Sequence, residues 1–244
     1  MRPFLFLGTR AEDEAADGEY DAVLRYAGLD EARLERRRLE RDPLGEVDLA
    51  AYSGIILGGG PFNVSDPAET KSATQLRVEA ELNHLARRVI DADFPFLGAC
   101  YGIGTLGVLD GGVVDRTYGE PVSAVTITLT DEGRRDPVFG AAAESFQAFL
   151  GHKEAVATLP TGAILLATGE ACPVQGFRIG HHVYATQFHP ELDVDGICTR
   201  IDVYQHHGYF HPSEADALKA MARAASVTEP ERILAAFADR YARD

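Results

Sequence analysis

Cysteine is scarce in this chain, and the few cysteines present exclude a disulfide framework. The 244 residues contain three cysteines, Cys100, Cys172 and Cys198, and none has the paired spacing of a zinc site. Small secreted domains stabilised by disulfides carry more cysteines at closer spacing. The sequence therefore fits a reducing compartment, and we expect a cytoplasmic protein without a metal site.

Basic residues are few relative to acidic ones. Lysine and arginine number 23 against 38 aspartate and glutamate residues, which gives a formal net charge of −15 at pH 7. Such a surface repels the phosphates of nucleic acids and the headgroups of anionic lipids. We therefore expect neither a nucleic-acid partner nor a membrane partner.

Long apolar runs and nucleotide-binding motifs are also absent from the sequence. No run approaches the length of a membrane span, and acidic residues interrupt the N-terminal stretch too early for a signal peptide. No glycine-rich stretch has the spacing of a dinucleotide-binding loop or the lysine of a P-loop. The sequence predicts no cofactor.

The most informative stretch is an apolar run that ends in small residues around one cysteine. Residues 94–104 predict a buried strand, a sharp turn that carries Cys100, and the start of a helix. A nucleophile on such a turn stands exposed at the end of the strand, and only small neighbours fit beside it. The helix N-terminus favours the thiolate, and the amide of Tyr101 is placed to stabilise an oxyanion. Most lone cysteines are inert, so this pattern alone does not make Cys100 catalytic.

A histidine and a glutamate far along the chain supply what a cysteine nucleophile needs. His189 and Glu191 follow a second strand-like run that ends at Gln187. A cysteine nucleophile requires a base, and the base requires a carboxylate that fixes its tautomer and balances its charge. We therefore predict a catalytic triad of Cys100, His189 and Glu191.

Two further stretches suggest roles near this triad. The three glycines at residues 58–60 end a buried strand and form either a simple tight turn or an oxyanion-hole loop. In the second interpretation the backbone amides of Gly60 and Tyr101 together donate hydrogen bonds to the oxyanion. His152 either shapes the substrate pocket or has a structural role, and the residues alone leave both open.

The order of strands and helices predicts a single α/β domain with helices on both faces of the sheet. Alternating residues at 113–117 and 122–129 predict a small flanking antiparallel sheet. Residues 207–244 predict a C-terminal helical extension of a domain that spans residues 1–206, with capping boxes that begin at Ser213 and Thr228. These helices pack on the core or on a partner subunit, so a homo-oligomer is one possible state.

Four motifs in this order resemble those of the class I glutamine amidotransferases, most nearly the glutaminase part of GMP synthase and its stand-alone relatives. They are GGGP at residues 58–61, GACYG at 98–102, GHKE at 151–154 and ATQFHPE at 185–191.

This resemblance implies a flavodoxin-like fold with a mostly parallel sheet, and release of ammonia from the side-chain amide of glutamine through a thioester. Cys100 is then the nucleophile, His189 shuttles protons, Glu191 orients His189, and the amides of Gly60 and Tyr101 form the oxyanion hole. The substrate then lies near Gly59, Gly104, His152 and Gln187.

One departure from the family pattern concerns the substrate. The cysteine motif of the family usually places a glutamine, which helps to hold the substrate, where this chain has Gly104. Either other residues compensate, or the pocket accepts a different γ-glutamyl or amide compound. A catalytically silent binding module is a third interpretation.

A second departure concerns the third motif, which in the family commonly reads Ser-His-x-Asp. This chain has Gly-His-Lys-Glu at residues 151–154, which is a milder change than the one at Gly104. Because no synthetase module follows, the sequence predicts either ammonia delivery to a separate synthetase subunit or an amide hydrolase that acts alone.

Overall fold

The computed structural model describes residues 2–243, which contain eleven strands in two sheets. Nine strands form one large sheet in the order β2-β1-β3-β4-β11-β10-β9-β6-β7, and β5 pairs with β8 in a small antiparallel sheet. The strands are β1 (Phe4–Gly8), β2 (Leu34–Arg38), β3 (Ile55–Leu57), β4 (Phe96–Ala99), β5 (Val113–Asp115), β6 (Glu120–Leu129), β7 (Ser145–His152), β8 (Ala155–Thr158), β9 (Ile164–Gly169), β10 (Gly176–Ile179) and β11 (Val183–Thr186).

Helices cover both faces of the sheet. On one face α2 and α3 pack against Leu5 and Leu7, and on the other α1 and α7 pack against Phe4 and Phe6. The side chains of β1 alternate between the two faces because a strand has a period of two. The helices are α1 (Asp13–Tyr26), α2 (Ala73–Asp91), α3 (Tyr101–Gly107), α4 (Asp131–Arg135), α5 (Val194–Tyr204), α6 (Ala215–Ala224) and α7 (Pro230–Tyr241).

The half of the sheet that contains β2, β1, β3, β4 and β11 is parallel. Its central strands are buried on both faces, so they read in the sequence as continuous apolar runs. The carboxyl ends of parallel strands meet at one edge of a sheet. The loops that follow β3, β4 and β11 therefore converge, and these loops carry residues 58–60, Cys100 and His189.

The predicted α/β class is confirmed, with a large sheet between helices and a small separate antiparallel sheet. One detail was wrong, because residues 122–129 do not belong to the small sheet. They form most of β6, which pairs with β7 and β9 in the large sheet. Alternation shows that a strand has one buried face, but it does not identify the neighbours that will pair with the strand.

The predicted capping boxes at Ser213 and Thr228 were also wrong. The first box is formed by His211 and Glu214, and α7 begins at Pro230 without a side-chain cap on its first amides. Proline favours the first position of a helical turn because its φ is already fixed and its missing N–H costs no hydrogen bond there. The prolines at positions 212 and 230 therefore set these starts.

The last helix is well anchored. Phe237 of α7 is fully buried in the cluster that contains Phe4 and Phe6, and its ring centroid lies 6.1 Å from that of Phe4. This packing suits an extension that docks on the sheet. We propose the division into residues 1–206 and 207–244 on this basis. In the described part of the chain, no helix has both the length and the apolarity needed to cross a bilayer.

Candidate active site

Cys100 occupies the predicted strand–turn–helix between β4 and α3. Its backbone angles, φ 51° and ψ −90°, are ones that residues with a side chain rarely adopt, and such strain costs about 1–3 kcal/mol. The amide of Cys100 donates to the carbonyl of Thr186 at 2.8 Å, which ties the turn to the end of β11. A Cβ on Gly98 would lie 2.9 Å from the backbone of Gly102, so both positions must stay small.

The glycine loop at residues 58–60 packs tightly against neighbouring side chains. A Cβ on Gly59 would lie 2.4 Å from Cε1 of His189, and a Cβ on Gly60 would lie 2.0 Å from Oγ1 of Thr9. Real Cβ contacts are not this short, so a side chain at either position would displace the loop or the imidazole. Gly59 therefore lies against His189 and does not line the cleft beside Cys100, where we had expected it to contact substrate.

The two predicted oxyanion donors border the same cleft as Cys100. Gly60 and Tyr101 both line it. Between residues 2 and 243, the structure gives the amide of neither residue a hydrogen-bond partner. Two unpaired N–H groups beside a nucleophile are what an oxyanion hole needs.

His189 and Glu191 form a buried hydrogen-bonded pair just after β11. Nδ1 of His189 lies 2.8 Å from Oε1 of Glu191, and both side chains are less than a tenth exposed. His189 lines the cleft together with Cys100. The same Glu191 oxygen accepts a hydrogen bond from Arg200 at 2.7 Å. The carboxylate thus fixes the imidazole, and the guanidinium fixes the carboxylate.

Burial and charge act in opposite directions on this pair. Burial lowers the pKa of His189, but the Glu191 carboxylate, helped by Cys100, outweighs burial and the repulsion from Arg200, so the pKa lies above its ordinary value. Burial would raise the pKa of Glu191, but His189 and Arg200 hold it well below its usual range. The charged pair is therefore favoured.

A buried ionic network that sequence reasoning did not find surrounds the pair. Oε1 of Glu19 lies 3.1 Å from Nε of Arg10 and 3.2 Å from a guanidinium nitrogen of Arg200, and it accepts the amide of Gly59 at 3.3 Å. Because Arg200 also binds Glu191, the two buried arginines face two buried carboxylates. Each buried charge thus has a partner of opposite sign, which is the condition under which buried ions are tolerated.

A sequence signal for this network existed. Arg200 lies three residues after Ile197 and four before Tyr204, so it occupies a core position on the apolar face of α5. Glu19 lies four residues before Val23 on the buried face of α1. A charged residue on an apolar helix face is a buried charge that needs a partner.

Cys100 stands between two pockets. We call the first the loop pocket, which lies between the glycine loop and residues 151–156, and the second the helix pocket, which lies against α5. Gly60, Gly151 and Tyr209 border both. The loop pocket is defined by Phe62, Asn63, Tyr101, Ile103, Gly104, Lys153 and Gln187, and the helix pocket by Val122, Leu150, Leu192, Ile197, Ile201 and Phe210.

Gly104 lies in the loop pocket, and its surroundings explain why a large side chain is missing there. A Cβ on Gly104 would lie 3.3 Å from both Oε1 of Glu154 and a methyl group of Val64. The two carboxylate oxygens of Glu154 accept the amides of Val64 and Ser65 at 2.7 and 2.8 Å. The anchored loop therefore takes the space into which a longer side chain at position 104 would extend.

His152 and Gln187 also border the loop pocket. Both ring nitrogens of His152 are engaged, one with the carbonyl of Glu154 at 2.8 Å and the other with the Glu120 carboxylate at 3.0 Å. These bonds hold His152 in the wall of the pocket. Among residues 2–243, Oε1 of Gln187 is a buried acceptor without a partner. Gln187 is therefore the better placed of the two for a polar contact with substrate.

Two groups of side chains in the described residues have the geometry to hold a metal ion. One comprises Glu19, His189 and Glu191, and a cation there would face the arginines that already bind both carboxylates. The other comprises Glu120, His152 and Cys172. Glu120 already binds His152 and Gln175. In both groups the carboxylates already bind other side chains of the protein.

Comparison with known proteins agrees with this architecture. The sequence model described as "Glutamine amidotransferase class-I" matches residues 22–196. The chain belongs to the class-I glutamine amidotransferase family. This membership makes it a glutamine amidotransferase or amide hydrolase that uses a cysteine nucleophile.

Individual relatives of this amidotransferase differ in length and in name. GMP synthase [glutamine-hydrolyzing] from Borrelia garinii subsp. bavariensis is 29% identical over 150 residues, which are 62% of this chain and 26% of the relative. The chain thus spans about a quarter of the length of that protein. Gamma-glutamyl peptidase 3 from Arabidopsis thaliana is 27% identical over 193 residues, 78% of this chain and 73% of the relative.

A solved structure of a glutamine amidotransferase from Methylobacillus flagellatus superposes with a TM-score of 0.73. It covers 100% of this amidotransferase and 97% of its own chain at 16% sequence identity, and it supports the fold alone.

Proposed function

We propose that this amidotransferase hydrolyses a γ-glutamyl amide, of which glutamine is the simplest, through a thioester on Cys100. The observation that carries the proposal is the buried His189–Glu191 pair at 2.8 Å, beside a strained cysteine and two unpaired backbone amides. Each part has one role in acyl transfer.

The reaction proceeds in two halves. The Cys100 thiol gives its proton to His189, and its sulfur attacks the amide carbon. The oxygen that becomes negative is stabilised by the amides of Gly60 and Tyr101. The C–N bond breaks as His189 gives its proton to the leaving nitrogen, and the acyl group stays on sulfur. Water, deprotonated by His189, then attacks the thioester. Glutamate leaves, and the thiol regains its proton.

The loop pocket suits the glutamyl half of the substrate. Lys153 borders this pocket, with Nζ 4.6 Å from the ring centroid of Tyr209, and brings a positive charge for the α-carboxylate. Gln187 supplies an unpaired acceptor. These groups take the place of the glutamine that the family usually has at the position of Gly104.

The names of the relatives suggest two destinations for the released amine. In the first, ammonia from glutamine passes to a separate synthetase subunit, as suggested by the glutamine-hydrolysing GMP synthases, of which this chain matches about a quarter. In the second, the chain cleaves γ-glutamyl compounds by itself, as suggested by the gamma-glutamyl peptidase. Gly104 lacks the side chain that helps to hold glutamine in the family, which favours a substrate other than glutamine alone.

Release of glutamate tests the proposal, because every γ-glutamyl amide yields the same acid. The purified protein is incubated with glutamine and with a panel of γ-glutamyl amides, and we expect glutamate release that is lost in Cys100→Ala. Cys198→Ala is the matched control, because Cys198 packs beside the apolar cluster of α5 and α6 outside the cleft.

Mass spectrometry of Cys100 supplies a second readout. We expect a γ-glutamyl thioester on Cys100 in a rapidly quenched reaction. Iodoacetamide labelling of Cys100 without glutamate release or acylation by any compound would leave a silent binding module, and the proposal would be wrong.

A further inference from the structure

The position of His189 identifies the side of the cleft from which the amine leaves. His189 borders the helix pocket and not the loop pocket, whereas Tyr101 borders the loop pocket and not the helix pocket. The group that protonates a leaving nitrogen must be within hydrogen-bond reach of it. If the chain cleaves γ-glutamyl amides as proposed, the acyl half lies in the loop pocket and the amine departs into the helix pocket.

The helix pocket has more room than ammonia requires. The space open to the centre of a water-sized molecule is about 60 Å³, whereas one water needs about 10–15 Å³ on the same measure. Aliphatic and aromatic side chains form most of its wall, from β6, β7, the loop before α5, α5 itself and the segment after α5. They are Val122, Leu150, Leu192, Ile197, Ile201 and Phe210.

The carboxylates beside this pocket are already paired with cations of the protein itself. Arg10 and Arg200 border it, and both bind Glu19, while Arg200 also binds Glu191. Tyr204 accepts a hydrogen bond from Arg10 at 3.2 Å. A charged amine would gain no unpaired counter-charge there, whereas an alkyl or aryl group would lose contact with water against apolar side chains.

We infer that the leaving amine of the substrate carries a neutral apolar group, which the helix pocket binds. The inference rests on the proposed γ-glutamyl chemistry and adds the substrate class. The thiolate displaces an amine R–NH2, His189 supplies the proton that the nitrogen needs, and the thioester is then hydrolysed to glutamate. The bonds formed and broken are those of glutamine hydrolysis, with R in place of hydrogen.

Three substrates that share the glutamyl half test the inference. They are L-glutamine, γ-glutamyl isoamylamide and γ-glutamyl-leucine, and kcat/KM is measured for each from glutamate release. We expect the isoamylamide to exceed glutamine by about 10-fold or more, because even small apolar groups discriminate by that factor in a hydrophobic pocket. Leucine adds a carboxylate to the same side group, so we expect γ-glutamyl-leucine to rank below the isoamylamide, and a higher kcat/KM for γ-glutamyl-leucine would overturn the neutral group.

Two phenylalanine variants locate the effect. Phe210 lines only the helix pocket and Phe62 only the loop pocket. We expect Phe210→Ala to lower the ratio of kcat/KM for isoamylamide to that for glutamine several-fold. Phe62→Ala lowers both values and leaves that ratio close to the wild-type value. Leu76→Ala, on an exposed part of α2, is the neutral control.

The outcomes separate the two levels of the proposal. Glutamine hydrolysed as well as the isoamylamide, or a ratio unchanged by Phe210→Ala in a folded variant, would overturn the inference and leave the γ-glutamyl hydrolase standing. No glutamate from any of the three substrates, together with no acylation of Cys100, would overturn the proposed function itself.

Discussion

At His189, a neighbouring carboxylate outweighs burial and raises the pKa of the imidazole. The imidazole is buried, which by itself disfavours its charged form, yet its pKa lies above the ordinary value because Glu191 is 2.8 Å away. Arg200 opposes this effect on His189 while it holds Glu191 ionised. The acid–base behaviour of the site is thus set by one hydrogen bond and by the residue that orients it.

Removing the charge of Glu191 should change both the titration and the activity. In Glu191→Gln the amide can still bond to Nδ1, but burial is no longer opposed by a negative charge, so the pKa of His189 falls. We expect NMR titration of the His189 ring protons to show a midpoint at lower pH, and kcat/KM to fall about 100-fold or more. An unchanged midpoint would contradict this account. Glu170→Gln, an exposed change, is the control.

At the scale of loops and strands, Glu154 joins two parts of the cleft. It ends the connection from β7 to β8, and both of its carboxylate oxygens accept hydrogen bonds from amides of the loop after the glycines, at Val64 and Ser65. This loop supplies Phe62 and Asn63 to the loop pocket. The shape of the pocket therefore depends on a hydrogen-bonded carboxylate outside the triad.

Glu154→Gln should loosen this loop without unfolding the protein. One acceptor oxygen becomes an N–H group that faces a backbone amide, and the buried amide left unpaired costs about 1–3 kcal/mol. We expect faster hydrogen exchange at Val64 and Ser65 and a higher KM for γ-glutamyl substrates. Glu46→Gln lies on an exposed surface and should change neither. Unchanged exchange in Glu154→Gln would show that other contacts hold the loop.

The last helix contributes to the main core. Phe237 is fully buried against Phe4, and its ring also meets that of Tyr184 on the sheet. We expect Phe237→Ala to lower the free energy of unfolding by about 3–5 kcal/mol, as truncation of a buried aromatic side chain does. Asp239→Ala, an exposed position on the same helix, should change it by less than about 0.5 kcal/mol. Urea denaturation measures the free energy of unfolding of both variants. An equal loss in the two variants would mean that α7 is not docked on the sheet.

For the whole molecule, the buried ions bring distant parts of the chain together. Glu19 comes from α1, Arg200 from α5, Glu191 from the loop after β11, and Arg10 from the loop after β1. Each charged side chain in this group is paired with one from another part of the chain. The free energy of unfolding should therefore depend on pH through this buried group as well as through the surface.

The direction of each shift defines the pH window. The pKa of Glu191 is lowered in the folded protein. Its contribution to the free energy of unfolding is therefore complete at pH values above the ordinary pKa of 4.5, and it is lost as the pH falls below that value. The pKa of His189 is raised in the folded protein. Its contribution to the free energy of unfolding is therefore complete at pH values below the ordinary pKa of 6.5, and it is lost as the pH rises through the pKa of the folded state. Both contributions are therefore complete between these two values.

Urea denaturation of wild type and Glu191→Gln at several pH values tests this window. Loss of one member of a buried pair costs about 3–5 kcal/mol, and we expect the difference between the two proteins to reach that size near the middle of the window. The difference should become smaller at more acidic and at more alkaline pH. A difference independent of pH would show that the two charges do not stabilise the fold.

Much of this arrangement could be predicted from residues that are close in sequence. The strained turn at Cys100 follows from a short apolar run with small neighbours, and the proximity of His189 to Glu191 follows from their separation by one proline. The parallel half of the sheet follows from strands that are apolar on both faces. The pairing of β6 with β7 and β9 in the large sheet could not be predicted, because it depends on strands elsewhere in the chain.

The sequence by itself determined the strained turn at Cys100, the histidine–glutamate pair and the class of fold, because each depends on local geometry or on a pattern of burial. Only the tertiary structure decided how the buried charges pair, that Glu154 and Val64 occupy the space beside Gly104, and that an apolar pocket lies on the His189 side of Cys100. These features depend on atoms from several elements meeting at one place, and the distances between such atoms are fixed by packing.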